Sequence, residues 1–471
     1  MHAYSKEGGR GQNGSGDGLV AIVGCGYVGT LIALLASQRG FRVIGIDVNA
    51  DLVSCINRFE SPVHEPEAAR IMEEVGRSGR LSASTSFDAV QEADYILITV
   101  GTPLDACSEP DLGALRHACR EVAPYLCRGQ LVVLKSTVAP GTTEGEVRRL
   151  LEEGSGLVAE DDFLLAYCPE RLAEGSNIHD FEGSALQDAQ GLPILVGGIG
   201  PRSREAAEYF WQRVGLETFS LSSATAAEMV KLADNWWIDV NIALANELGK
   251  LCEHLGLDAL EVIRAANTLP KGAGHVNFLF PGAGVGGSCL TKDPYFVHHL
   301  GREYGLDLQT PLLSRQVNDS MPGHVASLIM QVLSEYGKAV GGSTVTVLGL
   351  AFKNATSDMR STPAKPLIEI LREAGARVRT FDPWVNPADA RNLTGLPLSA
   401  TLEEAVTEAD VIALVTPHPE FRAISFAKIW ELVAHPCSVV DGRRAFDPAT
   451  VLSAGFDYRA VGLGMNEGRG G

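Results

Sequence analysis

No apolar run in the 471-residue chain approaches the roughly 20 residues that a helix needs to cross a bilayer. The start, Met1 to Gly18, lacks any apolar stretch and is rich in Gly, Ser and charge, so it reads as a disordered leader rather than a signal peptide. No C-x-x-C pair occurs among the nine cysteines (Cys25, Cys55, Cys107, Cys119, Cys127, Cys168, Cys252, Cys289 and Cys437). Neither a structural zinc nor a disulfide framework is indicated, no metal is expected, and a reducing cytoplasm fits best. Positive charge is also scarce: 39 Lys and Arg stand against 58 Asp and Glu, a formal net of −19. Nucleic-acid binding wants a basic face, so that class of partner is excluded. An anionic ligand would have to be met by cations gathered locally against this background.

What is present is an ordinary globular composition, 45% apolar and 21% charged, in a chain long enough for two or three cores. Its organisation shows a weak internal duplication. A strand Leu19 to Val23 runs into Gly24-Cys-Gly26-Tyr27-Val28-Gly29, followed by a helix Thr30 to Arg39 and a strand Phe41 to Ile46 ending in Asp47. Strands Tyr95 to Val100 and Leu131 to Leu134 follow. The far half repeats this grammar: a strand Val345 to Leu348 into Gly349, a helix Pro363 to Glu373, a strand Arg377 to Phe381 ending in Asp382, then strands Val411 to Thr416 and Ser438 to Val440. Strands alternating with helices imply parallel sheets covered on both faces. The expected fold class is α/β: two Rossmann-like doubly wound domains joined by a central helical segment. That segment includes a long helix, Ala224 to His254, apolar on more than one stripe.

Five motifs bear on chemistry. Gly24-x-Gly26-x-x-Gly29 sits between a strand and a helix, where glycines permit a tight turn and close approach to a pyrophosphate. Asp47, 18 positions after the last glycine, can accept from ribose hydroxyls and would repel a 2′-phosphate, which points to NAD. Gly286-Gly287-Ser288-Cys289-Leu-Thr-Lys292-Asp293 exposes a thiol with a cation and a carboxylate close by; a neighbouring Lys lowers a thiol's pKa. A buried cysteine in a glycine-rich turn is the bland reading of the same residues. Lys231 and Asn235 lie four apart on one helix face, able to hold an oxyanion, or else to face solvent. Pro169-Glu170 with Glu174, and Lys135-Ser136-Thr137 at a strand end, carry no functional reading alone.

In this order the motifs resemble the UDP-glucose/GDP-mannose dehydrogenase family, over about Leu19 to Tyr458. The most specific match is Gly286-Gly287-x-Cys289-x-x-Lys292-Asp293. Gly349-Leu-Ala-Phe352-Lys353 with Thr356, Asp358 and Arg360 looks like the family's nucleotide-sugar loop, and Asp441-Gly442-Arg443 like its second signature. The resemblance implies an NAD-binding domain over 19–215, a central dimerisation segment with the cysteine loop over 216–330, and a nucleotide-sugar-binding domain over 331–471. It implies a homodimer or higher homo-oligomer, no membrane association, and a four-electron oxidation of a hexose hydroxymethyl to a carboxylate. Cys289 would be the nucleophile and Lys231 and Asn235 the oxyanion support. Asp293 and Thr137 would position water, assisted by Glu170 or Glu174. The cofactor set is Gly24, Gly26, Tyr27, Val28, Gly29, Asp47, Thr102, Thr137 and Lys292. The substrate set is Glu170, Lys231, Asn235, His275, Asn277, Gly286, Lys353, Arg360 and Arg443. Where the family usually has an Arg 14 residues before the cysteine, this chain has His275, a weaker and pH-dependent phosphate partner.

The sugar stays open between UDP-glucose and a UDP-N-acetylhexosamine: Pro281-Gly-Ala-Gly-Val-Gly-Gly and Asp293-Pro294 lean one way, Ser288 the other. A two-electron hydroxyacid-type dehydrogenase would share the Rossmann start and the Lys–Asn pair but leave Cys289 unexplained. A non-catalytic NAD or nucleotide-sugar sensor would need no nucleophile.

Overall fold

The computed structural model describes residues 18–63, 66–171, 192–272 and 274–464, and the chain divides into two compact units between Asp234 and Asn235. In the first unit, eight strands among the described residues share a sheet: β1 Leu19–Val23, β2 Arg42–Ile46, β3 Leu81–Ser84, β4 Tyr95–Ile98, β5 Leu131–Leu134, β6 Leu164–Tyr167, β7 Ile194–Gly198 and β8 Thr218–Ser220. Their order is β3-β2-β1-β4-β5-β6-β7-β8, with only the β6–β7 pair antiparallel. The central strands are apolar along their whole length because helices cover both faces. One face packs on α1 (Tyr27–Gln38), α3 (Pro66–Arg77) and α6 (Pro201–Arg213), the other on α4 (Gly113–Val122) and α5 (Arg148–Ser155); α2 (Ala50–Asn57) flanks β2 and β3. The strand order reverses between β1 and β4, and ligands of such sheets bind where this reversal opens a crevice at the carboxyl ends. Helix α7, Ala224–Leu255, runs 32 residues without a break.

The second unit carries α8 (Ala259–Ala266), a short antiparallel hairpin β9 (Pro270–Lys271) and β10 (Gly274–His275), α9 (Asp293–Glu303) and α10 (Thr310–Glu335). A parallel sheet of β11 (Thr344–Leu348), β12 (Arg377–Phe381), β13 (Val411–Leu414), β14 (Ser438–Asp441) and β15 (Asp457–Ala460) follows, in the order β12-β11-β13-β14-β15. Helix α11 (Ala364–Glu373) connects β11 to β12, and the order reverses between β11 and β13. The α/β class with two doubly wound sheets and a long helix is therefore as the sequence indicates.

Boundaries differ in informative places. Helix α1 begins at Tyr27 rather than Thr30, because Thr30 N–H already reaches Gly26 O and the third glycine lies inside the first turn. The first half of helix α10 escapes the apolar pattern, although its second half buries Val325, Ile329, Val332 and Leu333. Its inner face buries Ser314, Arg315 and Asn318, and Pro322 sits in its interior, so periodicity and propensity both read against it.

Candidate active site

At the end of β1, the three glycines answer three different demands. Gly24 has φ +97°, and a Cβ there would lie 3.0 Å from Val100 N. A Cβ on Gly29 would lie 2.0 Å from Gly24 O, so this glycine lets helix and loop touch. A Cβ on Gly26 would meet nothing within 4 Å. That opening lies at the N-terminus of α1, beside Tyr27 and Val28, where backbone N–H groups favour an anion. Asp47 Oδ2 accepts from Cys25 N at 2.7 Å and Oδ1 from Asn49 N at 2.9 Å. A carboxylate has about four acceptor sites, so capacity for ribose hydroxyls remains. Thr99 Oγ1 donates to Gly24 O at 2.6 Å, Ser136 Oγ to Val100 O at 2.6 Å, and Thr102 Oγ1 to Thr137 O at 2.7 Å. Hydroxyls thus pin the loops after β1, β4 and β5 together, and Thr137 sits half-buried among them.

The same unit holds a cation to which the sequence alone assigns no role. The Lys135 ammonium, fully buried at the end of β5, lies 3.4 Å from Glu170 Oε2, donates to Cys168 O at 3.3 Å and stands 4.9 Å over the Trp211 ring. A lysine closing the otherwise apolar run Leu131 to Leu134 was its only trace in the sequence. Glu170 is thereby fixed at the end of β6; Glu174 lies outside the described residues. Lys231, on the inner side of α7, is only 7% exposed, and no carboxylate pairs with it among the described residues. Glu228, one turn earlier, accepts from Gly141 N, Thr143 N and Thr143 Oγ1 at 2.6 to 2.8 Å.

In the second unit, Cys289 lies exposed in the turn that opens α9, with its Sγ 3.9 Å from Ser288 Oγ. Its carbonyl accepts from Lys292 N at 3.0 Å and Asp293 N at 2.9 Å. The Lys292 ammonium is held on Asp293 Oδ1 at 2.7 Å and over the Phe296 ring at 4.6 Å. The fully buried Asp293 also accepts from Asn235 Nδ2 at 2.5 Å, which orients the amide. Burial raises the thiols of Cys25 and Cys119 to about 12 and that of Cys168 to about 11, making them inert.

The cysteine loop is docked on the loop after β11. Gly287 N donates to Arg360 O at 2.9 Å, and Cβ atoms on Gly286 or Gly287 would fall 2.7 Å from Phe352. Lys353 follows Phe352 on that loop, and Arg360 forms a two-pronged pair with Asp358. Arg443 gives Nε to Val415 O at 2.9 Å and Nη2 to Gly284 O at 2.8 Å; its burial lowers the guanidinium to about 10. His275 lies exposed on the β9–β10 hairpin, and the exposed Asn277 accepts from Asn241 through its carbonyl.

Three domain models of one family match the chain in order: its NAD binding domain at 19–210, its central domain at 225–320 and its UDP binding domain at 346–448. The UDP-N-acetyl-D-mannosamine dehydrogenase of Pyrococcus horikoshii is 34% identical over 94% of this chain and 99% of that protein. The chain belongs to the UDP-glucose/GDP-mannose dehydrogenase family. A P. horikoshii UDP-D-ManNAc dehydrogenase structure has a TM-score of 0.84 at 34% identity, covering 95% of this chain and 99% of that one. A UDP-glucose dehydrogenase from Pyrobaculum islandicum gives 0.83 at 30%, covering 97% and 99%. This family member is an NAD-dependent oxidoreductase acting on a nucleotide sugar. Its residues fit the cofactor: the open space beside Gly26 would leave room for a backbone-close pyrophosphate, and Asp47 has acceptor capacity left that a ribose could use.

Proposed function

We propose that this enzyme oxidises carbon 6 of a UDP-N-acetylhexosamine, of the N-acetylmannosamine type, to the uronic acid in two steps on Cys289. The observation that carries the reading is the exposed Cys289 at the N-terminus of α9, one turn from the buried Asp293–Asn235 pair. The similarity to UDP-N-acetyl-D-mannosamine dehydrogenases favours this sugar; Ser288 favours UDP-glucose as the second reading.

NAD, once bound, accepts the hydride of each oxidation. The alcohol loses its hydride and its hydroxyl proton to give the aldehyde, the proton passing to water; Asp293 is assigned to hold that water, and Thr137 and Glu170 are further candidates for the same role. The Cys289 sulfur then bonds to the aldehyde carbon, and the thiol proton ends on the new hydroxyl. Loss of a second hydride and that hydroxyl proton leaves a thioester. Water attacks it, the C–S bond breaks, and carboxylate and thiol are released. The sum is one alcohol, one water and two NAD to one carboxylate, two NADH and three protons. Lys231 and Asn235 stabilise the oxyanion of each tetrahedral stage. Lys353, Arg360 and Arg443 are assigned to the nucleotide sugar, with His275 and Asn277 supplied by a second subunit of a homodimer. Free cysteines throughout support a reducing, cytoplasmic setting.

Cys289→Ser tests the covalent route. An alkoxide forms far less readily than a thiolate at neutral pH, so the variant is expected to keep NAD and UDP-sugar binding while losing the acid product. Acid formation at near wild-type rate would replace the thioester with a hydrated-aldehyde route.

A further inference from the structure

The two sheets share a device and use it differently. In the first unit Gly24 N reaches Ile46 O and Asp47 accepts the next loop N–H; in the second, Gly349 N reaches Phe381 O and Asp382 accepts the next two. Asp382 is saturated, however. Its Oδ2 takes Leu350 N at 2.6 Å, Ala351 N at 3.0 Å and His418 Nε2 at 3.0 Å, while Oδ1 takes Trp384 N at 2.8 Å and Val385 N at 3.1 Å. Both it and His418 are buried, so this carboxylate is not offered to a ribose.

His418 continues the relay. Its Nδ1 accepts from Ala355 N at 3.2 Å, so the ring proton sits on Nε2, facing Asp382. Ala355 has φ +54°, a conformation that needs outside support in a non-glycine residue. Thr416 Oγ1 adds a bond to Ala351 O at 2.5 Å. The ring is itself held, nearly parallel to Trp384 with centroids 6.5 Å apart and edge-on to Phe421 at 5.7 Å. Asp382 thus grips the start of the segment from Leu350 to Ala355 and His418 its end. Between them lie Phe352, which packs on the cysteine loop, and Lys353.

We infer that His418 is a positioning residue for the nucleotide sugar, clamping through its Nδ1 the loop that presents Lys353 and Phe352. The inference rests on reading the loop that carries Phe352 and Lys353 as part of the nucleotide-sugar site. Two amide replacements separate the two ring nitrogens: Asn places an acceptor where Nδ1 was, and Gln places a donor where Nε2 was. His418→Phe keeps the ring stack and loses both bonds. His418→Gln and His418→Phe are expected to raise the KM for the UDP sugar about tenfold, one hydrogen bond's worth of loop placement, with the KM for NAD unchanged. His418→Asn is expected to stay within about threefold of wild type for both. A purely structural role would instead lower thermal stability in all three variants and leave the UDP-sugar KM alone, and that result would overturn the clamp. Lys353→Ala is measured alongside. If it raises the UDP-sugar KM while His418→Gln and His418→Phe do not, the clamp is wrong and the Lys353 reading stands. If it is silent while His418→Gln still raises the KM, the clamp stands and Phe352, not Lys353, is what it places.

Discussion

At Glu228 two forces oppose each other. Burial drives its carboxyl up to about 7, against the pull of three hydrogen bonds from Gly141 and Thr143. Unfolded, it titrates near its ordinary 4.5, so between these values the folded chain holds a proton that the unfolded chain has lost. The stability it contributes is full below about 4.5 and is lost as pH rises through about 7. Wild type should therefore lose melting temperature relative to Glu228→Gln from about pH 5 to about pH 8. Parallel curves would show that the three donors hold the carboxylate ionised throughout. Residues of this kind mark where sequence reading stops. Cys289, Lys231, Asn235 and Asp293 were legible because their spacing on a helix or in a glycine-rich turn is itself the signal. Lys135, Asp382, His418 and Glu228 act through partners far along the chain, and only the fold brings those together.

Among elements, the glycine loop gives the sharpest contrast. Gly26 has φ −66°, which alanine adopts freely, and its Cβ would project into open space. Gly26→Ala should keep the melting temperature of wild type and raise the KM for NAD by at least about tenfold, since a methyl then stands where the pyrophosphate approaches. Gly29→Ala should instead destabilise the protein, its methyl meeting Gly24 O. Equal melting temperatures for the two variants, or unchanged NAD use by Gly26→Ala, would contradict the assignment. Elements bounded by glycine and aspartate, such as β1, β2, β11 and β12, were readable for this same reason. By contrast β8 has three residues, mostly exposed, and the first half of α10 turns polar side chains inward, so neither stretch presents the pattern that burial usually imprints.

On the scale of the molecule, α7 leaves Trp237, Leu244 and Leu251 about half exposed at seven-residue spacing, a stripe along one helix face. Leu255 continues it, and Leu269 and Phe280 are similarly bare. An apolar stripe of this length is what a symmetric pairing of two copies buries. Sedimentation at micromolar concentration should show a dimer, and Leu244→Asp with Leu251→Asp should give monomer; a wild-type monomer would overturn the pairing. Against the −19 charge, Lys353, Arg360 and Arg443 are the cations proposed for the nucleotide sugar. What chemistry they serve is decided by counting electrons. With the UDP sugar limiting and NAD in excess, the NADH formed per sugar consumed measures the number of oxidations directly. A thioester route on Cys289 requires two NADH per sugar with no free aldehyde; one NADH per sugar, with a carbonyl product, would contradict it.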